Sequence, residues 1–179
     1  MILGKAVELA NSFGMLYEDE VYALYVLAKM LPENPKVANF GAGTGTSGLV
    51  IRTARQDAKI WTIDISESSP YGGLENERNA FTNAGVIDQL PNQIFGCSWD
   101  IGKGWQYGDL DMVFIDGDHS YEGCSKDIEA WLPHIKKNGI IVFHDYERDH
   151  WADVKRSVDE HTKDKQAILH IRTLKAFWV

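Results

Sequence analysis

Five short apolar runs, each closing on a glycine or a polar residue, alternate along this sequence with stretches whose apolar residues recur at helical spacing. The runs are Lys36–Phe40, Lys59–Ile65, Gln93–Cys97, Leu110–Ile115 and Ile140–Phe143. Before the first of them, Val21, Leu24, Tyr25, Ala28 and Leu31 share one helical face, which Pro32 and Pro35 close because proline cannot continue a helix. Further helices are expected through Leu49, Val50 and Ala54, over Asn76–Ala84, along Ile128, Trp131, Leu132 and Ile135, and through Trp151, Val154 and Val158. The helix through Ile128 should end at Lys136–Gly139, since cations suit a helix C-terminus and glycine takes the left-handed conformation there. Ala167–Val179 adds two strands around Thr173–Lys175. This alternation predicts an α/β fold: a doubly wound, mostly parallel, seven-stranded sheet with helices on both faces.

Composition narrows the function classes. The 179 residues make one domain, 1–179, large enough to fold without a disulfide or metal staple. A net charge of −8 argues against a nucleic-acid partner, whose binding depends on neutralising phosphates. Two cysteines without metal spacing fit a reducing compartment. The apolar stretch Val21–Ala28 is too short to span a bilayer, and the first residues lack the order of a signal peptide. The expectation is a soluble, cytoplasmic protein with no membrane partner. Nothing in the sequence specifies an oligomeric state.

In a sheet of this kind ligands bind beyond the carboxyl ends of the strands, so the residues after each strand carry the argument. They are the Gly41 loop, Asp64, Ser98, Asp116 and the pair His144–Asp145. Gly41-Ala42-Gly43-Thr44-Gly45 allows a tight turn and close backbone approach, and the following helix offers free N–H groups to an anion. Asp64 closes the second strand, where a carboxylate accepts hydrogen bonds from ribose hydroxyls. These features fit a dinucleotide or S-adenosylmethionine. Gly43-Thr-Gly45-Thr-Ser-Gly48 even matches G-x-G-x-x-G, so spacing does not choose. At the other strand ends, Asp116, Asp118, His119, His144 and Asp145 bring ionisable groups together. Like charges this close need protons or a cation, and a divalent metal held by Asp116, His144 and Asp145 resolves the repulsion. The bland alternative makes His144 a strand cap bonded to backbone.

Five segments decide between the cofactors: VANFGAGTGTSG (37–48), WTIDIS (61–66), FGCSWD (95–100), DMVFIDGDHSYEG (111–123) and KKNGIIVFHDY (136–146). With them the chain resembles the class I S-adenosylmethionine-dependent methyltransferases, above all the small metal-dependent O-methyltransferases typified by catechol and antibiotic-sugar O-methyltransferases. ILHIRTLKAFWV (168–179) resembles the antiparallel strand pair that ends this fold. The resemblance implies that Gly41, Gly43 and Ser47 meet the methionine part of S-adenosylmethionine and that Asp64 holds the ribose. It sets Ile65, Ser98 and Trp99 beside the adenine, and Asp116 between cofactor and metal. Asn39 departs from the family, which has an acid at this place.

The resemblance also implies a metal triad of one acid after the fourth strand and two acidic or amide residues after the fifth. His144 replaces the first of that pair, and an imidazole suits Mn, Fe or Zn better than Mg. The general base falls on His119 first and Asp118 second. The implied activity is methyl transfer to a hydroxyl oxygen of a small molecule. Two other readings stand beside it: a catalytically silent S-adenosylmethionine-binding module that acts with a partner, and the hydroxylation chemistry of a minority in the same broad family. Trp105 and Tyr107 either face substrate or cap the core, and Gly72–Gly73 forms either a plain turn or a movable loop over the cofactor.

Overall fold

A computed structural model describes residues 2–13 and 15–179. The five runs become strands β1 (Lys36–Phe40), β2 (Lys59–Asp64), β3 (Asn92–Phe95), β4 (Leu110–Ile115) and β5 (Ile135–Phe143), all parallel. A C-terminal hairpin, β6 (Ala167–Ile171) and β7 (Leu174–Trp178), completes a seven-stranded sheet of order β3-β2-β1-β4-β5-β7-β6. In it β7 runs antiparallel to both of its neighbours. The helices are α1 (Ile2–Phe13), α2 (Glu18–Lys29), α3 (Thr46–Ala54), α4 (Leu74–Asn83), α5 (Ser98–Lys103), α6 (Tyr121–Trp131) and α7 (Ala152–His161). Among the described residues, no helix is long and apolar enough to cross a membrane.

Every residue of β4 is buried, because helices cover both faces of the sheet. Val37, Met112, Phe114 and Val142 pack against α1 to α4, while Phe40, Val113, Ile115 and Phe143 pack against α6 and α7. Each such side chain contributes roughly 1.5–3 kcal/mol on burial, so the central strands hold the sheet rigid beneath the site. The helices change face between β1 and β4. The ends of β1 and β4 therefore mark the topological switch point, beside which open α/β sheets take their ligands.

One expectation is corrected. Lys136–Gly139 is not a helix end: α6 stops at Trp131, Pro133 sits in a single 3-10 turn, and Ile135 already pairs with Leu110 in β5. Proline removes the amide that would continue the α-helical hydrogen bonding. Asn138, with φ of +64°, takes the left-handed conformation instead of Gly139 and marks a register shift opposite β4. Sequence periodicity also passed over α1, whose buried Ala6 and Ala10 pack close to the core. Trp105 and Tyr107 cap the core: Trp105 meets Trp61 at 5.1 Å and Trp131 at 4.8 Å, and Tyr107 lies 5.5 Å from Trp61.

Candidate active site

The glycine loop is built by close backbone contact. Gly41 has φ of +78°, and a Cβ there would lie 2.0 Å from the carbonyl oxygen of Asp116. Only glycine fits, and the contact ties the loop after β1 to the loop after β4. Asp64 organises the turn from beneath: its Oδ2 accepts from the Ala42 amide and its Oδ1 from the Ser66 amide, both at 2.7 Å. Ser47 is buried in the first turn of α3. Gly72–Gly73 serves as a brace, since Gly73 N–H donates to the Gly43 carbonyl at 2.9 Å and a Cβ at Gly72 would sit 2.2 Å from that same oxygen. Ile65 is 72 % exposed just past the end of β2, an apolar surface beside the loop. Ser98 donates its hydroxyl to the buried Asp127, and Trp99 lies half-buried with the Lys126 ammonium over its ring.

Asn39 is fully buried in β1, with its amide nitrogen 3.5 Å from the Thr62 hydroxyl. The acid in this region comes from α4 instead. Glu77 Oε1 accepts from Thr62 Oγ1 and Oε2 from Gln93 Nε2, each at 2.8 Å. Burial pushes this carboxyl up to about 7, against the hydrogen bonds of Gln93 and Thr62. The folded protein thus holds the proton more tightly than the unfolded chain does. Its stabilising contribution is full below about pH 4.5 and is lost as the pH rises through about 7, a change worth about 3 kcal/mol. Glu77→Gln, neutral throughout, is expected to gain about 2–3 kcal/mol in stability relative to wild type as the pH is raised from 5 to 8, read by urea unfolding. A gap independent of pH would refute the assignment.

The ionisable residues converge at the ends of β4 and β5. His144 Nδ1 lies 3.4 Å from Asp116 Oδ1 and 3.5 Å from Asp145 Oδ2. His119 Nε2 lies 2.8 Å from Asp145 Oδ2 and 3.6 Å from Asp116 Oδ1. Both ring nitrogens are buried, and neither makes an aligned hydrogen bond. One ligand atom each from Asp116, His144 and Asp145 falls within 4.8 Å of the others. The unpartnered His144 Nδ1 and the facing oxygens of Asp116 and Asp145 form a donor set that fits a divalent ion, and an imidazole nitrogen suits Mn, Fe or Zn better than Mg. Asp145 takes a φ of +56°, a costly backbone that carboxylate side chains tolerate better than most.

The charges are strongly coupled. Burial opposes ionisation of Asp116 and Asp145, but the two imidazoles hold both carboxyls below the usual range, with Arg148 assisting at Asp145. Burial likewise pulls His119 down, yet Asp116 and Asp145 outweigh it and raise the ring to about 9. His144 is held well above its ordinary value by the same neighbours. Asp118 does not join them: its carboxylate accepts from Ser120 N–H and packs on Gly123 at the start of α6. The two candidate bases thus separate, and His119 is the one in contact with the acidic pair.

Several residues around the site were not singled out by sequence reasoning. Arg148 donates to Asp145 Oδ1 at 2.7 Å, and the Trp151 ring stacks on His119 at 4.6 Å. Glu20 of α2, fully buried, lies 3.2 Å from His144 Nε2. A carboxylate four residues before Leu24, within the apolar stripe of its helix, was the available signal. Of the four remaining histidines, His134, His161 and His170 contact backbone carbonyls.

Residues 38–146 match a family model described as "Methyltransferase domain". A Mycobacterium tuberculosis protein named "Probable O-methyltransferase Rv1220c" is 30 % identical over 146 residues, covering 80 % of this chain and 62 % of its own length. An uncharacterised protein of Acanthamoeba polyphaga mimivirus, R132, is 32 % identical over 83 residues, 46 % of this chain and 30 % of its own. The chain therefore spans less than two thirds of either relative. Among solved structures, the O-methyltransferase TomG of Streptomyces achromogenes, in complex with SAM, superposes with a TM-score of 0.74 at 18 % identity, over 99 % of this chain and 89 % of that one. An O-methyltransferase of Bacillus cereus in complex with SAH gives 0.73 at 12 % identity, over 99 % and 90 %. These likenesses establish a common fold.

Proposed function

The chain belongs to the methyltransferase-domain family, and from that premise we propose that it transfers the methyl group of S-adenosylmethionine to a hydroxyl oxygen of a small molecule, with a divalent ion held by Asp116, His144 and Asp145. The observation that carries this reading is that the glycine loop and the His/Asp cluster adjoin, with Gly41 lying directly against Asp116. Gly41 and Gly43 give the cofactor room at the backbone, and Ser47 with the first turn of α3 receives its carboxylate. Asp64 keeps lone pairs for the ribose hydroxyls beyond the two amides it already binds. Ile65, Ser98 and Trp99 border the adenine.

Transfer is an in-line displacement: the sulfur–methyl bond breaks, an oxygen–methyl bond forms and the hydroxyl proton leaves. The protein's part is chiefly alignment of nucleophile and methyl group. A divalent ion, when bound, supplies acidity to the acceptor hydroxyl and fixes its place. His119 takes the proton at Nε2, with Trp151 stacked on the ring to hold its plane. A ring raised to about 9 is protonated at neutral pH, so His119 accepts a proton only when the charge of Asp116 and Asp145 is compensated. A divalent ion held by Asp116, His144 and Asp145 would supply that compensation.

Calorimetry tests the cofactor. S-adenosylhomocysteine is expected to bind one to one, and Asp64→Ala to weaken it at least about tenfold, since two hydrogen bonds to a charged group are lost. Tighter binding of NAD would overturn the assignment. Acceptor class is tested by S-adenosylhomocysteine release with Mn²⁺ across phenols, sugars and hydroxy acids. Intact cofactor binding without turnover on any of them would replace the enzyme with a binding module.

A further inference from the structure

We infer that Glu20 is a positioning residue for the ion site: from α2 it engages the outer nitrogen of His144, and so presents the inner nitrogen to Asp116 and Asp145 as a bare lone pair. The inference rests on the ion reading above and adds to it a residue 124 positions away in the chain. Glu20 is 0 % exposed, and a buried carboxylate persists only where its oxygens are satisfied. They are. Oε1 accepts from Thr173 N–H and from Thr173 Oγ1, both at 2.8 Å. Oε2 accepts from Tyr17 N–H at 2.9 Å and faces His144 Nε2 at 3.2 Å.

An ionised carboxylate can only accept hydrogen bonds, so the ring nitrogen that faces it must carry the hydrogen. Thr173 Oγ1 also lies 3.2 Å from His144 Nε2, but its own hydrogen goes to Glu20. The proton of a neutral His144 is thereby assigned to Nε2. The lone pair falls to Nδ1, the buried atom without a hydrogen-bond partner that faces Asp116 and Asp145. A carboxylate behind a ligating imidazole fixes its tautomer and orientation and raises its basicity as a ligand. Glu20 also returns to the site the negative charge that a neutral imidazole does not bring. The end of β5, the N-terminus of α2 and the β6–β7 turn all meet on this one side chain.

The test is Mn²⁺ calorimetry on wild type and Glu20→Gln, with a long-range proton–nitrogen NMR spectrum of the zinc-loaded wild type. Glu20→Gln is expected to weaken Mn²⁺ binding 10- to 100-fold while S-adenosylhomocysteine binds as before. The spectrum is expected to place the His144 proton on Nε2 and zinc on Nδ1. A variant that melts earlier but binds Mn²⁺ as tightly as wild type makes Glu20 structural only and overturns the inference. Zinc on Nε2 overturns it too, and that result stands even if the variant fails to fold. Wild type that takes up neither ion brings down the ion reading itself and this inference with it.

Discussion

Replacing Asp145 with alanine is expected to stop methyl transfer while S-adenosylhomocysteine still binds near its wild-type affinity, and EDTA is expected to do the same to the unaltered protein. Asp145 reaches His119, His144 and Arg148 at once, whereas Asp64 bonds the amides of Ala42 and Ser66. At the proposed ion site its removal would take away one ligand and leave His119, His144 and Arg148 facing fewer carboxylate oxygens. Loss of the ion forfeits several kcal/mol of the barrier reduction, a rate loss of about 10³-fold or more. Release of S-adenosylhomocysteine, followed before and after chelation and after return of Mn²⁺, measures the effect. Full activity in excess EDTA would take the ion out of the mechanism and leave His144 or His119 as the base in a metal-free site.

His119→Ala separates the proton acceptor from the ligands. The variant is expected to keep both ion and cofactor and to lose about 10²–10⁴-fold in kcat, the usual contribution of a general base. Trp151 loses its stacking partner, but neither β4 nor β5 depends on the ring. Unchanged kcat would remove His119 from the reaction. Loss of Mn²⁺ affinity would identify it as a fourth ligand, which its unpartnered Nε2 beside Asp145 also allows on geometry. Calorimetry and turnover on the same preparation distinguish these results.

Much of this was legible in the sequence because its signals are local. Leu110–Ile115 was bounded correctly at both ends, since a strand buried on both faces reads as an unbroken apolar run. Gly41 and Asp64 could be placed because a strand end sets where the next residue stands. The rest depends on facts that periodicity does not contain. A helical stripe tells which face of α2 is buried but not what it meets, so the meeting of Glu20 with His144 was beyond reach. Gly72–Gly73 looked like a turn because its true partner, the carbonyl of Gly43, is distant in sequence. Two lysines before Asn-Gly resembled a helix end because the pairing of Ile135 with Leu110, which overrides that local signal, is a tertiary fact.

The position of β7 has a consequence for assembly. It follows β6 in the chain yet lies between β5 and β6, so β6 can join the sheet only through a strand that comes after it. Until that insertion, one edge of β5 presents unpaired backbone groups, a template open to any passing strand. The same hairpin carries Thr173 to Glu20, so the surroundings of His144 mature only when the hairpin docks. The hairpin whose β7 pairs with β5 is thus the one that seats Thr173 on Glu20, so closing this edge of the sheet and completing the surroundings of His144 depend on the same element.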